Sequence, residues 1–350
     1  MVRALQWIDR PEGIRLIDQT LLPGEEKYLD VCTVDVLVKA IKDLAVRGAP
    51  ALGAVGAYGV VIAMKQGQAE GWDRAAVERA VDRVRDARPT AVNLAWGVDQ
   101  VRGLIPRGAD AVLEAAHRIA EEDEAANRKL ARIGADWILR TTGRDTVRVV
   151  THCNTGALAT TAWGTAYGII HELFDRGALE MVYADETRPL LQGARLTSWE
   201  LTQDSIPHVV EADGAASSTI LRGLVDVAII GADRIAANGD TANKVGSVAL
   251  ALACQRANIP FVVAAPSSTV DLDTASGEDI PIELRDEAEI LGFGTERSTP
   301  ASARGFNPAF DVTPHDLIAA VVTEWGVVEP ARTPDPRLLS RIAGLTTTCS

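Results

Sequence analysis

The chain predicts an α/β protein with a Rossmann-like parallel sheet in its carboxy-terminal part and a smaller, mixed and mainly helical domain before it. Three observations carry that expectation. From residue 146 onward, short apolar β-branched runs alternate with helical patterns, the order that builds βαβ units. Within one of those runs, Val227, Ala228, Ile229 and Ile230 show no polar alternation, as expected of a strand covered on both faces. The 350 residues are 47% hydrophobic but only 5% aromatic, a profile of compact α/β proteins with room for two domains.

Taken in order, residues 1–31 read as short strands and turns. Leu5, Trp7 and Ile8 face Ile14, Leu16 and Ile17 across Pro11-Glu12-Gly13, a hairpin signal, and Leu21-Leu22-Pro23-Gly24 is another turn. Thr33 can cap a helix carrying Val34, Leu37, Val38, Ile41, Leu44 and Ala45 on one face. That helix should end at Arg47-Gly48-Ala49-Pro50, because the residue before proline avoids the helical region. A small-residue helix follows over 51–64, with Gly53, Gly56 and Gly59 spaced for close approach of another backbone or of a ligand. Arg88-Pro89 repeats the theme of an arginine fixed beside a proline. Residues 110–139 predict a helix about 45 Å long, suited to linking two domains or lining a subunit interface.

Strands are then expected over 146–151, 179–183, 207–211, 225–230 and 259–264. Helices are expected over 157–175, 194–203, 217–222 and 247–254, with a last short one over 316–324. The organisation is therefore an amino-terminal domain over 1–125, a Rossmann-like catalytic domain over 126–330 and a loosely held tail over 331–350.

The net charge of −13 argues against a duty on nucleic acid or an anionic membrane. An anionic ligand would need local cations to overcome that field, which singles out Arg47, Arg88, Arg195 and Lys244. No apolar run reaches the ~20 residues of a membrane span, and the amino end alternates with charges, unlike a signal peptide. Cys32, Cys153, Cys254 and Cys349 share no CxxC spacing, which suggests reduced thiols in a cytoplasmic protein. The five histidines have no metal-ligand spacing, and both the GxGxxG fingerprint and the P-loop are missing, so no metal or cofactor is expected.

The chemistry concentrates at three strand ends. Gly231-Ala232-Asp233-Arg234 sets a carboxylate where a buried strand stops, with Asn243 and Lys244 leading into the next helix. In open α/β sheets ligands sit beyond such ends, so Asp233 reads either as an acid/base beside a fixed cation or as the cap of a turn. Thr151-His152-Cys153-Asn154-Thr155-Gly156 delivers a thiol to a second strand end. Before a helix starting at 157 its pKa would fall; buried, it would be a small hydrophobe. His152 and Cys153 should point to opposite faces, which disfavours a Cys–His nucleophile pair. Residues 185–189 and 192–195 add an amide and two guanidiniums, groups suited to hydroxyls and phosphate. The constellation points to a phosphorylated polyol and acid/base chemistry without a cofactor.

These motifs, together with Arg88-Pro89-Thr90-Ala91-Val92-Asn93-Leu94, Asn238-Gly239-Asp240 and Asn307-Pro308-Ala309-Phe310-Asp311, occur in an order that resembles the S-methyl-5-thioribose-1-phosphate isomerases over residues 1–328. The resemblance implies an aldose–ketose isomerase of methionine salvage, assembled as a homodimer. It matches Cys153 and Asp233 to the catalytic pair, and Arg47, Gly48, Ala49, Arg88, Gln192, Asn243 and Lys244 to substrate-binding positions, within one interdomain cleft. An apolar slot for the methylthio group is expected near Trp96 or Trp199. The alternatives are an isomerase of 5-deoxyribose 1-phosphate or ribose 1,5-bisphosphate, or a non-catalytic module that senses sugar phosphates or nucleotides. The segment 295–304 and the tail, with Cys349, lie outside the shared pattern.

Overall fold

A three-stranded antiparallel sheet opens the chain: β1 (Leu5–Asp9), β2 (Glu12–Ile17) and β3 (Tyr28–Val31), hydrogen-bonded in that order. The computed structural model describes residues 2–88, 92–294, 296–332 and 339. The first hairpin is tighter than Pro11–Gly13 suggested: Asp9 pairs with Glu12, so the turn is Arg10-Pro11. Thr33 caps α1 (Val34–Lys42), its hydroxyl accepting from the Val36 N–H at 3.5 Å. The helix ends at Lys42 rather than at 47–50, because Leu44 turns into the left-handed region at φ 64°.

Next, α2 (Ala49–Glu70) carries Pro50 in its first turn, where a missing N–H costs nothing, and closes on left-handed Gly71. It outruns the expected 51–64. Then come α3 (Arg74–Arg85) and α4 (Val92–Arg102). The glycine triplet serves packing: a Cβ at Gly56 would fall 2.4 Å from the Leu94 carbonyl oxygen on α4, and Gly59 meets Val84 and Leu37. The 34-residue α5 (Ala109–Thr142) is the long helix expected at 110–139.

The chain forms two compact units, residues 1–127 with 155–164, and residues 128–154 with 165 onward; α5 carries it from the first to the second. The first unit is built on Leu37, Ile41, Val55, Val61 and Leu94.

The second unit holds β4 (Val147–Thr151), α6 (Ala166–Asp175), β5 (Leu179–Asp185), α7 (Ser198–Gln203), β6 (His208–Glu211), α8 (Ala216–Leu221) and β7 (Val227–Ile230). It continues through β8 (Arg234–Ala236), β9 (Thr241–Lys244), α9 (Ser247–Ala257), β10 (Phe261–Ala264), β11 (Val270–Asp271) and α10 (Ala288–Leu291). The last strands are β12 (Gly292–Phe293), β13 (Glu296–Arg297), β14 (Phe310–Thr313), β15 (Ala320–Thr323) and β16 (Gly326–Val328).

Seven strands make the main sheet in the order β16-β15-β10-β7-β4-β5-β6, parallel throughout except for the edge strand β16. Val227 and Ile229 pack with Leu130, Ile138 and Ile170 on one face, while Ala228 and Ile230 pack with Ile220 and Leu250 on the other. This is the α/β, Rossmann-like class the pattern predicts. The chain winds outward from β4 through β5 to β6, then from β7 the opposite way through β10 to β15. The strand order therefore reverses between β4 and β7, and in such sheets that reversal opens a crevice for ligands.

Three expected elements differ. Instead of a helix over 157–175 there is one 3₁₀ turn, Ala157–Ala159, and α6 begins only at Ala166. The intervening Thr160-Thr161-Ala162-Trp163-Gly164-Thr165 is poor in helix formers, and Gly164 sits at φ +87°. The expected helix over 316–324 is instead β15, whose β-branched residues extend the sheet beside β10. The approach to α9 is strand β9, paired with β8 and β14 in a second sheet. Of the expected tail over 331–350, only Ala331, Arg332 and Leu339 lie among the described residues; Cys349 lies outside them, as does Thr295.

One buried ion pair ties β4 to the approach of β7. Asp226 accepts from Arg148 Nε at 3.0 Å, Nη2 at 2.9 Å and the Arg148 backbone N–H at 2.8 Å. Burial works to raise the Asp226 pKa, but these bonds win and hold it below the usual carboxylate value. The depressed folded pKa stabilises the fold above the unfolded pKa, and that stability is lost as pH falls through the folded pKa. Asp226→Asn should therefore cost about 1–3 kcal/mol in urea unfolding at pH 7, and the gap should narrow below about pH 4.

Candidate active site

Cys153 lies just past the carboxyl end of β4, 7% exposed, at φ 63°. A non-glycine residue in that region is uncommon and needs its surroundings to hold it. Two threonines do so: the Cys153 N–H donates to Thr187 Oγ1 at 2.9 Å, and Thr197 Oγ1 donates to the Cys153 carbonyl at 2.6 Å. Thr187 follows β5, and Thr197 closes a five-residue π-helix, Gly193–Thr197, of the kind that recurs at functional sites. The long helix expected to start at 157, just after Cys153, is replaced by one 3₁₀ turn. Asn154 does not cap a helix; its Nδ2 donates to buried Glu200 at 2.6 Å.

Gln192 precedes the π-helix, 6% exposed, and its buried Oε1 has no hydrogen-bond partner among the described residues. Buried amide oxygens are rarely left so, and a hydroxyl donor on a ligand would satisfy it. Arg188 and Arg195, read from the sequence as suited to phosphate, each donate to backbone carbonyls. Arg188 donates to the Pro189 carbonyl at 3.0 Å and to the Gly292 carbonyl at 3.0 Å, and Arg195 Nε donates to the Leu190 carbonyl at 3.0 Å.

Asp233 follows β7, across the strand-order reversal from Cys153. It is exposed, and its backbone N–H donates to the Ala242 carbonyl at 2.9 Å, which sets it beside the β9 residues. Asn243 is buried and donates to Ser247 Oγ at 2.9 Å. Lys244 is also buried; its Nζ donates to the Ala309 carbonyl at 2.8 Å and stands 4.6 Å above the Phe310 ring. The motif Asn307–Asp311 thus cradles the lysine.

The most enclosed titratable pair is one the chemistry of the motifs did not single out. His152 Nδ1 lies 2.8 Å from Asp185 Oδ2, and His152 Nε2 lies 2.8 Å from the Val245 carbonyl; both side chains are at most 2% exposed. Burial works against charging His152, but the Asp185 hydrogen bond and charge prevail and raise its pKa. Burial pushes the Asp185 carboxyl up to about 6. Ligand atoms of His152, Asp185 and Asp213 lie within 4.8 Å of one another, a grouping that could hold a metal ion. Two of the three are already committed, His152 through both ring nitrogens and Asp213 by accepting the backbone N–H groups of Thr187 and Arg188, each at 2.7 Å; Asp185 Oδ1 is buried without a hydrogen-bond partner among the described residues.

In the first unit, Gly48 bears φ +97°, and a Cβ there would fall 2.2 Å from the Ala159 carbonyl oxygen. Only glycine fits, so the 3₁₀ turn packs directly on the loop that carries half-buried Arg47. Ala49 begins α2, and half-buried Arg88 follows α3; Pro89, Thr90 and Ala91 lie outside the described residues. Trp96 sits on α4 against Gly53, and Trp199 on α7. The second unit alone therefore gathers Cys153, Asp233, Gln192, Asn243 and Lys244 around the ends of β4, β5 and β7. Arg47, Gly48, Ala49 and Arg88 belong to the first unit.

This fold and this set of strand ends recur in known proteins. The model described as the initiation factor 2 subunit family matches residues 45–330, and the chain belongs to that family. Within it, the chain belongs with the methylthioribose-1-phosphate isomerases. A methylthioribose-1-phosphate isomerase of Alkalilimnicola ehrlichii is 49% identical over 93% of this chain and 94% of its own length. The structure of 5-methylthioribose 1-phosphate isomerase from Pyrococcus horikoshii OT3 is similar at a TM-score of 0.88 and 35% identity, covering 99% of this chain and 97% of that one. A probable bifunctional methylthioribose-1-phosphate isomerase/methylthioribulose-1-phosphate dehydratase of Nocardia farcinica is 50% identical over 95% of this chain, which spans 60% of that longer protein.

Proposed function

We propose that the chain is an aldose–ketose isomerase that converts 5-methylthioribose 1-phosphate into 5-methylthioribulose 1-phosphate in methionine salvage, with Asp233 and Cys153 as its catalytic pair. The observation that carries the assignment of residues is the placement of Cys153 and Asp233 after β4 and β7, the two strands between which the order reverses. Gln192, Asn243 and Lys244, with Arg47, Gly48, Ala49 and Arg88, are assigned to binding the phosphate and hydroxyls. The active form is assigned as a cytoplasmic homodimer without a cofactor. Among the described residues, no helix is long and apolar enough to cross a membrane.

The substrate sets the chemistry. Its anomeric oxygen carries phosphate, so the ring cannot open through a free anomeric hydroxyl. As the bond from C1 to the ring oxygen breaks, Asp233 delivers a proton to that oxygen. C1 gains the hydrogen from C2, and the C2 hydroxyl becomes the ketone as its proton passes to the Asp233 carboxylate, which restores the acid and leaves an open-chain ketose with the phosphate intact. Transfer through an enediol makes Cys153 the base at C2; direct hydride transfer makes it a group that stabilises developing charge. Deuterium placed at C2 separates the two routes: retention at C1 in H2O marks hydride transfer, and loss to solvent marks the exchanging base.

The reading is tested with three substrates, 5-methylthioribose 1-phosphate, 5-deoxyribose 1-phosphate and ribose 1,5-bisphosphate. The 5-methylthio sugar should give the highest kcat/KM, and the bisphosphate the lowest. Comparable efficiency on all three would mean a general pentose 1-phosphate isomerase, and no turnover on any would remove the enzyme assignment.

A further inference from the structure

We propose that His152 is a positioning residue that tethers the turn Lys244-Val245-Gly246 to the end of β4 and so fixes Asn243 and Lys244 relative to Cys153. In its kinetic consequences this rests on the isomerase reading above. His152 is 1% exposed and directly precedes Cys153. Its ring joins three chain segments: β4 carries it, Asp185 at the end of β5 meets Nδ1, and the Val245 carbonyl meets Nε2, both contacts at 2.8 Å. A carbonyl only accepts, so the bond to Val245 needs a hydrogen on Nε2, and the contact to Asp185 then needs a second one, on Nδ1 or on the carboxyl.

The turn is shaped to receive that ring. Gly246 lies at φ +112°, and a Cβ there would come within 2.7 Å of His152 Cε1. From the other side, Asp311 Oδ2 accepts the Gly246 N–H at 2.7 Å and the Val248 N–H at 3.3 Å, the first turn of α9. A donor on one flank and an acceptor on the other thus grip the two ends of the Val245–Gly246 peptide group, beside Lys244. Packing alone gives no reason for an imidazole here, since an apolar side chain of similar volume would fill the space without burying a polar group. Its hydrogen bond to Val245 is the one that reaches the segment with Asn243 and Lys244.

The test compares His152→Ala and His152→Gln with the wild-type chain by hydrogen exchange and by steady-state kinetics. In His152→Ala, amides of residues 243–250 should exchange at least about tenfold faster while β10 is unchanged, because the opening is local. KM should rise and kcat fall, each by about tenfold, as expected when binding groups shift by a fraction of an ångström. His152→Gln retains a side-chain N–H donor and should recover part of both effects. Wild-type exchange over 243–250 in His152→Ala would overturn the tether. Faster exchange with KM and kcat within about twofold, or equal losses in the Ala and Gln variants, would overturn its role in positioning. Should His152→Ala fail to fold, Gly246→Ala presses on the same ring from the turn: a raised KM is expected and an unchanged KM overturns the proposal. A wild-type chain inactive on every sugar contradicts the isomerase reading, and the exchange result still decides the tether.

Discussion

Asp233→Asn should lower kcat by about 10³-fold, or about 4 kcal/mol of barrier, with KM changed only a few-fold. The amide has the shape of the carboxyl but no proton to give a ring oxygen, so binding persists while ring opening fails. The fold should tolerate the exchange, because the side chain is exposed and the amide keeps the shape and the hydrogen-bonding oxygen of the carboxyl. Steady-state kinetics beside a thermal melt separate the two effects. A thermal midpoint near that of the wild type with a collapsed kcat is the expected pair, whereas near-normal turnover would move the acid elsewhere. If Asp233 did no more than cap the turn after β7, the order would invert: kcat would hold and stability would fall.

Cys153→Ala should cost about 10²–10³ in kcat for a stability change of about 1 kcal/mol. The position suits a clean comparison. The backbone is held at φ 63° by Thr187 and Thr197 through main-chain atoms, so Ala and Ser occupy the same frame and the exchange reports on sulfur alone. Serine keeps a hydrogen-bonding group but cannot ionise near neutral pH, so Cys153→Ser should be nearly as slow as alanine if the thiolate is the base at C2. A substantial recovery by serine would favour a role in stabilising charge. If Cys153 were only a small buried hydrophobe, both variants would turn over normally and differ from the wild type in melting alone.

The parallel sheet was legible because Val227–Ile230 and Phe261–Ala264 are apolar throughout, which a sheet covered on both faces demands. The places of Cys153 and Asp233 beyond β4 and β7 were legible for the same reason: the residues that follow an apolar run in such a sheet stand past its carboxyl end. Local patterning failed where pairing decides conformation. Thr241–Lys244 and Ala320–Thr323 become strands because β14 and β10 lie beside them, a non-local fact that periodicity over a few residues does not contain. The 3₁₀ turn after Cys153 misled in another way, since alanines suggest a helix there while Gly164 and the threonines beside it end it. Strand alternation disfavours His152 as a partner of Cys153, yet both residues lie past the end of β4 and Cys153 is at φ 63°, so alternation does not reach them. The real partners of His152, Asp185 and Val245, are 33 and 93 residues away and come together only in the folded sheet. Arg188 and Arg195 were legible as cations beside the strand ends, but the carbonyls they donate to were not, because those contacts form only in the folded chain.

Groups at the ends of β4 and β7 should suffice to turn an aldose 1-phosphate into a ketose. The decisive observation is to follow 5-methylthioribose 1-phosphate labelled with carbon-13 at C2 by NMR, in the presence of the purified chain alone. The labelled carbon should move from the alcohol to the ketone region without release of inorganic phosphate, and it should stay an alcohol over the same period with Asp233→Asn. A labelled carbon that remains an alcohol with the folded wild-type chain would contradict the account.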